Sequence, residues 1–201
     1  MVKGLYSYIR EAWKKPDKKE LQKRMTLWRS EGSFTKVEKP LRLDRARALG
    51  YRDKKGFVII RAKLKRGGHK RPRPNKGRRS KRMHTRKNLK MSYKWIAEQR
   101  VSKKYSNLEV LNSYIIGKDG QHYFFEVICV DPLKSEIKND RKINWITKKT
   151  NQNRPERGLT SAAKKSRGLR SNDPTSKVRP SVRAGEKRRS RNEGIRKKHK
   201  L

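Results

Sequence analysis

Between Asp53 and Glu98 the chain has no acidic side chain, and from Arg61 to Arg82 it reads RAKLKRGGHKRPRPNKGRRSKR. Side chains of these types do one kind of chemistry well, the neutralisation of phosphate. Each phosphate contacted releases condensed counterions, so a protein making roughly 10 contacts loses on the order of 10³–10⁵ in affinity between about 50 and 200 mM salt. Arginine adds a fork that grips phosphate bidentately and a plane that stacks on exposed bases. In this tract the residues placed to do so are Lys63, Lys65, Arg66, Lys70, Arg71, Arg73, Lys76, Arg78, Arg79, Lys81 and Arg82. A second set, Arg154, Arg157, Lys164, Lys165, Arg167, Arg170, Arg188 and Arg189, lies towards the C-terminus, and a third, Arg42, Arg45 and Arg47, precedes the tract.

Other chemistry has little to work with. His69, His84, His122 and His199 are scattered, Cys129 is the single cysteine, and neither a C-x-x-C pair nor a GxxxxGK[ST] loop occurs. No metal, cofactor or small-molecule substrate is therefore expected. Lys55-Gly56-Phe57 begins like an RNA-recognition-motif signature, but Val58 and Ile59 fail the positions that follow, so Phe57 reads as core. An enzyme acting on nucleic acid would need Glu109, Glu126 or Asp131 to face solvent and a divalent ion. A DNA-compacting protein is the other alternative that charge alone leaves open.

Composition sets the same bounds. Lys and Arg number 60 against 18 Asp and Glu, a formal charge of +42 over 201 residues, and only 31% of residues are hydrophobic. Such a charge destabilises a compact state in isolation and calls for a polyanion. No apolar run approaches the length of a membrane span, and the N-terminus lacks a signal-type apolar stretch. A lone cysteine suits a reducing compartment.

The elements that must carry these cations are legible in part. Leu5, Tyr6, Ile9 and Trp13 form the stripe of a short helix that Pro16 stops. Asp17 and Glu20 read as a capping box for a second helix carrying Leu21, Met25 and Trp28. Asp44 and Gly50 read as cap and stop of a third, and Ser92 as cap of a fourth with Tyr93, Ile96, Ala97 and Val101 on one side. Residues 57–65 alternate into a strand, with Arg61, Lys63 and Lys65 opposite Ala62 and Leu64.

From Ser106 to Leu133 the charge balance inverts, with Lys118 the single Lys or Arg against Glu109, Asp119, Glu126 and Asp131. Residues 108–116 and 123–130 are strands apolar on both faces, joined by Gly117-Lys118-Asp119-Gly120, so this hairpin reads as a core covered on each side by helices. The expected architecture is α+β, a small antiparallel sheet with helices on both faces. Residues 1–152 form the core, with a basic loop at 66–91. Residues 153–201 form a basic extended tail, too sparse in apolar groups to bury, which orders on an anionic partner.

Several segments together resemble the large-subunit ribosomal protein fifteen-e family of archaea and eukaryotes. They are Gly4-Leu5-Tyr6-Ser7-Tyr8-Ile9, Leu43-Asp44-Arg45-Ala46-Arg47-Ala48-Leu49-Gly50-Tyr51, Arg66-Gly67-Gly68-His69-Lys70-Arg71-Pro72, Val110-Leu111-Asn112-Ser113-Tyr114, Phe124-Phe125-Glu126-Val127, Arg157-Gly158-Leu159-Thr160-Ser161-Ala162 and Lys164-Lys165-Ser166-Arg167-Gly168-Leu169-Arg170. Asn144-Trp145-Ile146 with the tail resembles that family's archaeal branch. The resemblance implies a non-catalytic constituent of the cytoplasmic ribosome, bound to large-subunit rRNA and neighbouring ribosomal proteins. Ala163 stands where that family usually has glycine, which points to ordinary helix there with Thr160 or Ser161 as cap. Residues 84–90 depart from the family pattern.

Overall fold

The computed structural model of the chain describes residues 3–70, 77, 86–87 and 91–170. In chain order these form α1 (Leu5–Ala12), α2 (Lys18–Ser30), β1 (Phe34–Val37), α3 (Leu43–Ala48), β2 (Phe57–Lys65), β3 (His69–Lys70), β4 (Arg86–Lys87), α4 (Tyr93–Lys104), β5 (Glu109–Lys118), β6 (His122–Val130) and α5 (Ser135–Lys138). Two 3-10 turns, Asn144–Thr147 and Lys149–Asn151, lead to α6 (Ser161–Ser166). The main sheet is antiparallel throughout, in the order β1-β2-β6-β5.

The strands carry apolar side chains on both faces, so the sheet needs a cover on each side, and it has one. On one face Trp28 of α2, Ala46 of α3, Ile137 of α5 and Ile146 of the first 3-10 turn close over Ile59, Phe124, Ile128 and Val130. On the other, Ala97 and Val101 of α4 close over Ile60, Ala62, Leu64, Phe125, Val127 and Cys129. Burying each large apolar side chain stabilises the fold by about 1.5–3 kcal/mol. Cys129 is fully buried, and its burial pushes the thiol above its ordinary range, as befits a small core hydrophobe. A bulge in β5 keeps the pattern in phase. Val110 pairs with Cys129 and Asn112 with Ile128, so Leu111 is the extra residue; it joins Tyr114 and Ile116 on the α2–α3 face despite its odd spacing.

Helix starts follow local chemistry, with two departures from the sequence-based expectation. Asp17 Oδ1 accepts from Lys19 N at 2.9 Å, yet Glu20 turns outwards to Lys23 instead of completing a box. Arg42, not Asp44, is the N-cap of α3, and Asp44 sits buried within the first turn. Gly50, at φ +101, stops that helix. Ser92 caps α4 by accepting from Trp95 N. Thr160 rather than Ser161 caps α6, and Ala163 lies inside it as ordinary helix.

The basic loop is tied to the fold at its start and pairs with itself further on. Tyr93 Oη donates to Gly67 O at 2.9 Å and accepts from Gly67 N at 3.0 Å, while β3 and β4 pair His69 with Lys87 and Lys70 with Arg86. Nothing in the residue pattern of the basic loop at 66–91 signals that two-residue ladder.

Residues 153–170 differ most from expectation. They are packed, with Ala162, Ala163 and Thr160 buried and α6 set against α4 and β5. Small side chains and one buried hydroxyl dock this segment where large apolar residues are lacking.

Candidate nucleic-acid interface

The structure sorts the predicted cations by what their donors already do. Lys63 Nζ donates to Arg29 O at 2.7 Å and Glu31 O at 2.6 Å, so it caps the negative end of α2. Arg154 turns inwards, donating to Val110 O at 3.0 Å with its guanidinium 4.7 Å from the Trp145 ring centre; burial pulls its pKa below the usual arginine range. Arg157 donates to the carbonyls of Gln152 and Thr150, and Arg167 to Gly158 O. Arg66 is exposed but is held at Asp119 O and over Tyr123.

Arg45, Lys65, Lys164, Lys165 and Arg170 are exposed and make no side-chain hydrogen bond or ion pair among the described residues; Arg47 is exposed and lies over the Tyr6 ring, and Arg42 is half-buried. The side chain of Lys70 and the residues Arg71, Arg73, Lys76, Arg78, Arg79, Lys81, Arg82, Arg188 and Arg189 lie outside what the structure describes.

Folding brings together cations that the sequence keeps far apart. Burial holds the ammonium of Lys94 of α4 below the usual lysine range against the pull of Glu98, and Arg45 of α3 and Lys165 of α6 add to it. Arg42 and Arg45 face a concavity that Arg10 of α1 and Lys94 also line. Neither Arg10 nor Lys94 stands out in the sequence: Arg10 is the single base of α1, and Lys94 is one of four spread along α4 with Arg100, Lys103 and Lys104. The result is a basic belt across α1, α3, α4 and α6.

The acids are placed the opposite way. Glu98 is fully buried, accepting from Ser113 Oγ at 2.5 Å and Thr160 Oγ1 at 2.5 Å. Burial raises its pKa against the pull of those two hydroxyls, then of Lys94 and Arg154. Glu126 is also fully buried and raised by burial; it accepts from Tyr114 Oη and from Leu41 N. Glu109 is 7% exposed and accepts from Asn153 N. Asp131 Oδ1 accepts from Leu133 N in a turn. These carboxylates brace strands and loops rather than converge, and among the described residues no group of three or more possible metal ligands assembles. Phe57 packs edge-on to Tyr51 in the core, away from any RNA-recognition role. No helix of the described residues is long and apolar enough to cross a membrane.

Comparison with known proteins gives one consistent answer. A family model described as Ribosomal L15 matches residues 4–195. Large ribosomal subunit protein eL15 of Methanospirillum hungatei is 50% identical over 194 residues, an alignment covering 94% of this chain and 99% of that relative. Large ribosomal subunit protein eL15 of Methanocella arvoryzae is 47% identical over 194 residues, with the same coverage.

Proposed function

The chain belongs to the Ribosomal L15 family, in its archaeal eL15 branch, and on that premise we propose that its basic loop and tail hold large-subunit rRNA in its folded form. The family is one of structural ribosomal proteins, not enzymes, and its members work within the large subunit against rRNA and neighbouring proteins.

The mechanism is electrostatic. Where RNA helices pack closely their phosphates repel, and Lys and Arg placed between them remove that repulsion. Lys65 at the end of β2 and the loop residues Arg66, Lys70, Arg71, Arg73, Lys76, Arg78, Arg79, Lys81 and Arg82 would enter the RNA. The extension would follow a second path, led by Lys164, Lys165 and Arg170 and continued by Arg188 and Arg189. The division into a core of 1–152 and an RNA-ordered extension of 153–201 carries one refinement, since residues 153–170 already dock on α4 and β5.

The observation that carries this reading is the segregation of charge. No acid lies between Asp53 and Glu98, while Glu98, Glu109 and Glu126 are buried in the fold. Changing Arg71, Arg73, Arg78, Arg79 and Arg82 together to Ser tests it. Binding of the full chain to large-subunit rRNA, titrated with KCl, should weaken, and the log–log salt slope should flatten by about 0.9 for each duplex phosphate no longer neutralised. An unchanged slope would overturn the assignment.

A further inference from the structure

Two of the ion pairs at the fold's surface are close and partly shielded: Lys54 Nζ lies 2.5 Å from Asp140 and Arg61 Nη2 2.6 Å from Glu31. The α1–α3–α4 concavity is different. Arg10, Arg42, Arg45 and Lys94 line a pocket of about 260 Å³, and none of the four pairs with a carboxylate among the described residues. The pocket's one acid, Asp44, is buried, and its Oδ1 has no partner; neither has the buried Nε of Arg42. Lys94 also feels the buried Glu98 and Arg42 the buried Glu126, so among the described residues the cations left without a carboxylate are the exposed Arg10 and Arg45, whose field the low-dielectric wall strengthens.

Aromatic rings flank Arg42 and, beside the pocket on α3, Arg47. The Arg47 guanidinium lies 5.7 Å from the Tyr6 ring centre and that of Arg42 5.1 Å from the Trp13 ring centre. On α1, Tyr6 and Arg10 are one helical turn apart and share a face. Tyr6 is 37% exposed, so part of its ring is open. A cationic pocket beside an open ring fits a nucleotide whose phosphate enters the pocket while its base stacks outside. A base within a duplex is already stacked and does not reach such a ring.

We propose that the α1–α3–α4 pocket is a built RNA site, distinct from the basic loop and tail, which takes a phosphodiester of an unpaired large-subunit rRNA nucleotide and stacks its base on Tyr6. The proposal rests on the rRNA reading above for the identity of the polymer but not on the loop's part in it. An acidic protein segment would answer the charge but would leave the ring without a role.

The test uses the full chain and intact large-subunit rRNA across about 50–200 mM KCl. Arg10→Gln with Arg45→Gln changes two exposed side chains, so the fold should survive and the melting temperature report it. The salt slope should flatten by about 0.7, the value for the one single-strand phosphate that the pocket neutralises. Tyr6→Ala should weaken binding by about 5- to 150-fold, the worth of one base–aromatic stack, and Tyr6→Phe should stay within about twofold of the parent. An unchanged slope in the arginine pair overturns the pocket, as does Tyr6→Phe binding as weakly as Tyr6→Ala. The loop arginine-to-serine protein measured in parallel separates the two readings. If it alone flattens the slope, the pocket falls and the loop stands; if the arginine pair alone does, the reverse holds.

Discussion

Replacing Thr160 with valine removes one oxygen and keeps the side chain's shape. That oxygen makes two bonds in a fully buried place: it donates to Glu98 Oε2 at 2.5 Å and accepts from Ala163 N at 3.3 Å as the cap of α6. A hydrogen bond to a charged group is worth about 1.5–3 kcal/mol, and loss of an N-cap costs about 1 kcal/mol. Because both losses share one atom they are not fully additive, so about 3 kcal/mol is expected. For a folded unit of this size that lowers the melting temperature by about 6–12 °C.

The cost should shrink in acid. Protonated Glu98 makes an ordinary neutral bond worth about 1 kcal/mol, and burial already raises its pKa. Thermal melting at several pH values measures the total. Amide exchange of residues 161–166 against that of β6 locates it, since α6 should open before the sheet. A shift below about 2 °C at neutral pH, with unaltered protection of α6, would refute the view that Thr160 pins the segment to the core.

Two further outcomes follow from the same packing. Glu98→Gln does not titrate, whereas the parent's Glu98 has a folded pKa above its unfolded value, so the parent's advantage from protonation is full below about pH 4.5 and is lost as pH rises through the folded pKa. Urea unfolding should therefore show the variant gaining on the parent from pH 4.5 upwards, and a flat difference would contradict the burial argument. Gly56→Ala forces a side chain onto φ +95 with its Cβ 2.6 Å from Ile137 Cγ1. It should cost about 3 kcal/mol by chemical denaturation, while Gly120→Ala, with nothing within 4 Å, should stay within about 0.5 kcal/mol.

Much of the fold is readable from periodicity. The β5–β6 hairpin stands out because its apolar residues fall on both alternating faces and because Gly117-Lys118-Asp119-Gly120 reads as a turn, although β5 runs on through Gly117 and Lys118, which pair with Phe124 and Tyr123. The apolar faces of α2 and α4 follow from the spacing of Leu21, Met25 and Trp28, and of Ala97 and Val101. Short helices are harder. Arg42 and Asp44 are two residues apart, and which of them caps α3 depends on where the turn before it is anchored, here by Leu41 N donating to the buried Glu126. The docking of residues 153–170 leaves no apolar signature, because two alanines and a hydroxyl aimed at a carboxylate read as tail.

The sequence by itself determined that this protein seeks a polyanion, since net charge and the acid-free interval depend on composition and order alone. It determined the sheet's core as well, because apolar alternation is a property of neighbours along the chain. Only the tertiary structure decided which cations remain free and which brace the fold. Lys63 and Arg154 spend donors on carbonyls that are distant in sequence. Arg10, Arg42, Arg45 and Lys94, from three separate helices and their caps, meet around one pocket. The physical reason is that a side chain's charge is fixed by its type, but its partners are fixed by what folding brings within a few ångströms.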